Sequence, residues 1–207
     1  MAIVLHHHPF SRAAATLWML EEVGVDYELR FVDMPAGAHK QPRMLALNPM
    51  GKLPILVDGD VVVTENLAIG LYLADRYSPG ELAPALDDPA RATYLRWSAF
   101  APSVIEPGFT AKANGWAFKP EQAGWGNYDT MLDAMEVAIG EGPFLLGERF
   151  TMADVIFGGT VRYMLRVGGL EPRASFTAYS ERLGARPANQ RAEARNAAIL
   201  AEHPPKR

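Results

Sequence analysis

The chain has 207 residues, 49% hydrophobic and 21% charged, enough for one large or two small globular domains. With a net charge of −4 and scattered Lys and Arg, no basic block invites nucleic acid or an anionic membrane surface, and no apolar run approaches the roughly 20 residues that span a bilayer. There is no cysteine, which excludes disulfides, thiolate metal sites and a thiol nucleophile of the protein's own; any thiol must arrive with a ligand.

Ala2 to Leu5 (AIVL) form a short apolar run ending at three histidines and Pro9, the pattern of a buried strand. The run is too short for a signal peptide and has no basic residues before it, so a cytoplasmic protein is expected. From Ser11 the period changes to that of a helix, with Leu17, Leu20 and a stop at Gly24. Tyr27, Leu29 and Phe31 then alternate as in a half-covered strand. After a looser stretch, LPILVDGDVVVTE reads as two strands joined by Asp58-Gly59-Asp60, and NLAIGLYLADRY as an amphipathic helix. Residues 1–77 therefore give βαβ then ββα, a small mixed sheet with helices. Residues 78–90 have the Pro and Gly content of a linker. Beyond it the strand signals stop, and helices are expected near 87–113, 120–140, 152–167, 175–185 and 187–202. The domain expectation is an α/β domain over 1–77 and an all-helical domain over 91–207.

Four stretches stand out, each with a structural and a functional reading. In NPMGKLPILV, Pro54 either starts an edge strand or follows a cis bond that turns the Leu53 backbone outward to pair with an extended peptide ligand. In VVVTENLAIG, Thr64 or Asn66 could cap a helix, and the same helix end with the Glu65 carboxylate would suit a peptide carrying a free carboxylate and amine. Ser11 sits where the first strand becomes the first helix, as an N-cap or as a functional hydroxyl. Thr151 and Asp154 have capping-box spacing, flanked by Phe150 and Val155 as a hydrophobic staple; this motif is structural. The triplet His6-His7-His8 cannot place all its rings toward one metal, because neighbours on a strand alternate sides, so no metal is expected.

In this order and spacing, SRAAATLWMLEEVGVDYE, HKQPRMLALNPMGKLPILVDGD, TENLAIGLYLADRY and LLGERFTMADV resemble the cytosolic glutathione transferase superfamily, especially its serine-type, theta- and phi-like members. The resemblance implies a thioredoxin-like N-terminal domain, an all-helical C-terminal domain, a homodimer, and glutathione as co-substrate. It further implies that Leu53, presented by cis Pro54, pairs with the cysteinyl backbone, that Glu65 and Asn66 hold the γ-glutamyl amine and carboxylate, and that His39, Lys40 and Lys52 meet the glycine carboxylate. Asn66 departs from the family's usual Ser or Thr, which points to weaker or altered binding.

For thiol activation the resemblance offers Ser11 first, through the Ser-Arg pair and the following frame, and His8 second, by aligning HPF on the SPF of other members. Lowering a thiol pKa from about 8.5 to about 6.5 needs roughly 2.7 kcal/mol, the size of one hydrogen bond to a charged acceptor. The expected activity is conjugation of glutathione to small hydrophobic electrophiles, with detoxification as its context; peroxidase, isomerase and ether-cleaving chemistry stay open. The alternative is a non-catalytic glutathione-binding or assembly protein on the same fold. Phe10, Trp97, Phe100, Phe109 and Trp116 are the candidate electrophile-pocket residues.

Overall fold

The computed structural model describes residues 3–204; Ala2, the first residue of the expected opening strand, lies outside them. By its internal contacts the chain divides into two units, one holding the residues up to Ser78 together with the segment from Arg186, the other running from Pro79 to Ala185.

The first unit is built on a four-stranded mixed sheet in the order β2-β1-β3-β4. β1 (Ile3–His7) lies parallel to β2 (Tyr27–Phe31), as a strand-helix-strand connection requires, with α1 (Ala13–Val23) between them in sequence. β3 (Ile55–Asp58) runs antiparallel to β1 and joins β4 (Val61–Thr64) through a two-residue loop, where Gly59 takes φ 60°. The periodic apolar residues of α1 and of α3 (Asn66–Tyr77) fill the core: Leu17, Leu20, Ile69 and Leu73 are fully buried with Leu5, Ile55 and Leu56 of the sheet. Each such side chain contributes roughly 1.5–3 kcal/mol of burial. The stretch read as loose holds a short helix, α2 (Pro42–Leu47), too brief to show a period, preceded by a single 3-10 turn at Ala38–Lys40.

The last helix, α9 (Pro187–Glu202), corrects the expectation of one helical domain over 91–207. It packs against α1 of the first unit. Charge pairing is the cause. Arg186 makes two hydrogen bonds to Glu22, at 2.7 and 2.8 Å, and Arg191 reaches Glu21 at 2.6 Å. Both carboxylates are nearly buried and would be costly to leave without partners.

The second unit is helical. Its helices are α4 (Ala90–Phe100), α5 (Glu106–Ala113), α6 (Tyr128–Ile139), α7 (Met152–Arg166) and α8 (Ala174–Gly184). The helix expected over 87–113 is interrupted at Ala101–Ile105 by a wider, π-type turn. Pro102 and Pro107 account for it: each lacks an N–H and would press its ring on the carbonyl four residues back, and a wider turn relieves both. The helix expected over 120–140 begins only at Tyr128, where Asn127 accepts from the Thr130 N–H. α7 is the centre of this unit, with Met152 to Gly158 all buried.

Candidate functional site

The ends of β1 and β3 meet at the site. Their register pairs Val4 with Val57, Leu5 with Leu56 and His6 with Ile55. The Leu53–Pro54 peptide is cis, and the β1–β3 ladder ends before Leu53. The Leu53 side chain is buried in one apolar cluster with Ala13 at the start of α1, Val32 at the end of β2 and Met44 of α2. Three elements thus converge on this residue.

A second feature lies where β4 passes into α3. Glu65 has φ 68°, the only positive φ at a residue other than glycine among the described residues. Such a conformation costs on the order of 1–3 kcal/mol and persists where surrounding structure imposes it. Glu65 is exposed, and no side chain caps α3, so its first-turn N–H groups are open to an anion. The Asn66 side chain is partly committed. Its Oδ1 accepts from the hydroxyl of fully buried Thr16 at 2.9 Å, tying α3 to α1 and leaving the Asn66 Nδ2 hydrogens as donors.

The residues expected at the glycine end divide. Lys40 donates from Nζ to the Met50 carbonyl at 2.9 Å and lies against Gly51, whose φ of 57° and lack of a Cβ admit it. Lys52 is exposed, while its carbonyl accepts from Asn48 Nδ2. His39 Nδ1 is sealed from solvent with no hydrogen-bond partner. Asn48 and Thr16 were missed by sequence reasoning. Asn48 is 3% exposed, and its Oδ1 accepts from the Met50 N–H, so it shapes the loop carrying Lys52; the Asn-Pro pair at 48–49 was the available signal.

At the turn from β1 to α1, Ser11 is half-buried and already engaged. Its hydroxyl donates to the His8 carbonyl at 2.7 Å and accepts from the Ala13 N–H at 3.1 Å. The His8 ring is 7% exposed, lies 5.5 Å from the Phe31 ring, and accepts from the Phe10 N–H at Nδ1. Burial lowers its pKa, and the nearby Asp33 carboxylate only partly opposes this. The other two histidines go elsewhere. His7 is fully buried and bonds Asn196 of α9 at 2.8 Å through Nε2, and burial pushes its pKa down to about 4. His6 lies toward a cavity of about 580 Å³ with Arg30, Arg43, Met44 and Leu47. No group of three or more His, Asp or Glu side chains suited to a metal occurs among the described residues.

The expected electrophile-pocket residues also separate. Trp97 is corrected to a core residue. It is 5% exposed and stands edge-on to Phe100 and to fully buried Phe157. Phe109 fills the space left by Gly169, where a Cβ would come within 2.1 Å of its ring. Phe10 and Trp116 are exposed, at 67% and 55%.

Residues 1–75 match the family model for the glutathione S-transferase N-terminal domain, and residues 120–182 the model for its C-terminal domain. Glutathione S-transferase 3 of Zea mays is 33% identical over 84% of this chain and 84% of its own. Glutathione S-transferase F14 of Arabidopsis thaliana is 32% identical over 84% of this chain and 76% of its own. Among solved structures, a theta class glutathione S-transferase from Xanthomonas axonopodis pv. citri, with glutathione bound, is 31% identical with a TM-score of 0.76, covering 92% of this chain and 96% of that one. No helix among the described residues is long and apolar enough to cross a membrane. A thioredoxin-like sheet unit, a helical unit and these likenesses along both place the chain in one family: it belongs to the glutathione S-transferases.

Proposed function

We propose that the protein conjugates the thiolate of glutathione to small hydrophobic electrophiles. The observation that carries this reading is Glu65, held at φ 68° at the uncapped start of α3. There one carboxylate and a row of helix N–H groups sit together, matching the amine and carboxylate of a γ-glutamyl group. Leu53, beyond the end of its ladder and next to the cis bond, offers backbone to the cysteinyl residue, and Asn66 adds its Nδ2 donors to the γ-glutamyl carboxylate. His39 and Lys52 face the glycine carboxylate; Lys40, held by Met50, shapes the loop beside them. The thiol lies at the β1–α1 turn, and the thiolate attacks an electrophilic carbon. That bond forms as the leaving group departs with its electron pair, and the thiol proton goes to solvent.

Exposed Phe10, on the β1–α1 turn, favours an apolar acceptor. The protein acts in the cytoplasm as a homodimer, for which light scattering is the check. The test of function is calorimetric titration with glutathione followed by turnover on a panel of aryl halides, epoxides and enones. Micromolar to millimolar binding with conjugation is expected, and Glu65→Ala weakens binding at least tenfold. Binding without turnover on any electrophile would favour a non-catalytic glutathione-binding protein, and no binding at all would sink the reading.

A further inference from the structure

We infer that His8, and not Ser11, is the catalytic residue that holds the glutathione thiolate, donating a hydrogen bond to it through Nε2–H. The inference presupposes the glutathione site described above and names the group at its reactive end.

The hydroxyl of Ser11 has one hydrogen, and that hydrogen is spent on the His8 carbonyl at 2.7 Å. The same oxygen accepts from the Ala13 N–H, so Ser11 closes the turn and caps α1 in both directions. To serve a thiolate it would have to give up this bond, leaving the turn to the Ser11 N–H, which donates to the same carbonyl at 3.0 Å. His8 is arranged the opposite way. The Phe10 N–H points at its Nδ1, which must carry a lone pair to accept it; the neutral ring therefore bears its hydrogen on Nε2. Nε2 has no hydrogen-bond partner among the described residues. The turn thus sets the tautomer and leaves one directed N–H unused.

Position agrees with chemistry. His8 follows directly on β1 and Leu53 lies just before β3, so both sit near the end of the ladder whose last pair is His6 with Ile55. Ser11 lies three residues further on, inside the turn. Asp33 and His39 lie near enough for their charges to act on His8 in opposite directions. Burial keeps the ring neutral, so it donates a hydrogen bond without taking up or losing a proton during the reaction. The thiol proton leaves to solvent, His8 keeps its own, and the charge that develops on sulfur is met by a fixed N–H dipole in a nearly buried position.

The experiment is an ultraviolet titration of the thiolate of bound glutathione on the full chain, for wild type, Ser11→Ala, His8→Ala and His8→Gln. Glutathione affinity is measured by calorimetry and folding by thermal melt. The expected result is a depressed thiol pKa in wild type and in Ser11→Ala, with Ser11→Ala melting lower. In His8→Ala the thiol pKa rises by about 1–2 pH units, a tenfold to hundredfold loss of thiolate below that pH, with affinity for glutathione little changed. His8→Gln, which keeps an N–H near the same place, recovers part of the loss, and kcat follows the thiolate fraction. A depressed pKa retained in His8→Ala, or lost in Ser11→Ala alone, overturns the assignment while leaving glutathione binding intact. Wild type that binds no glutathione overturns the glutathione reading itself, and this assignment with it.

Discussion

Two helices in this protein begin beside a hydroxyl residue, and the two starts are used differently. At α7, Thr151 and Asp154 close a capping box with every donor matched: Asp154 accepts from the Thr151 N–H at 2.9 Å, the Leu145 N–H at 2.8 Å and the Tyr179 hydroxyl at 2.9 Å, all buried. At α1, Ser11 also spends its hydroxyl on the turn, but the ring that shares the turn, His8, has no partner at Nε2 among the described residues. A hydroxyl at a helix start is therefore not by itself a sign of chemistry. Catalytic capacity is marked by the donor the local structure leaves over.

The sharpest way to break this comparison is at α7. Asp154→Ala leaves four buried donors, the Thr151 hydroxyl among them, without this acceptor and is expected to cost about 3 kcal/mol or more, read by denaturant unfolding. Thr151→Ala removes only the cap side chain and is expected to cost about 1–2 kcal/mol in the same assay. At α1, Ser11→Ala is expected to cost about 1 kcal/mol, since its turn is half-exposed and the backbone bonds from the Ser11 and Ala14 N–H groups remain. If Ser11→Ala instead abolished thiolate formation at unchanged stability, the contrast between the two starts would fail.

In the response to acid the regions differ in sign. Between pH 6.5 and about 4 the unfolded chain takes a proton at His7 and the folded chain does not, so this residue makes stability fall as pH falls. Asp154 is opposite: burial raises its pKa above 3.8, so the folded chain binds the proton before the unfolded one, and its contribution grows as pH falls. Urea midpoints measured from pH 7 to 4 should flatten in His7→Gln. An unchanged slope would show that His7 is not the proton site.

Much of the fold was legible because its signals are local. The period change at Ser11, the Asp58-Gly59-Asp60 loop and the Thr151–Asp154 spacing each report a structure formed within a few residues. The stretch over α2 gave nothing, since six residues cannot display a helical period. The placement of α9 was hidden for another reason: Glu21 and Glu22 are matched by arginines about 165–170 residues away, which no window sees. In the proposed site, Leu53, Glu65 and Ser11, with His8 as second choice, could be named from the sequence, whereas the positive φ of Glu65 and the partner of the Ser11 hydroxyl are set by tertiary context. Thr16, which occupies the acceptor of Asn66, looked like an ordinary helix residue.

The pairing of α9 with α1 also fixes when the first unit can be finished. Synthesis runs from the N-terminus, and folding units commonly form as they emerge. Here the strands and helices up to Ser78 appear early, while the arginines that neutralise Glu21 and Glu22 are made later, after the whole helical unit. Until then α1 carries two acidic side chains on the surface that α9 will cover. The nascent sheet unit therefore waits, incompletely closed, for the segment from Arg186, and a stop codon shortly before Arg186 would leave it in that state permanently.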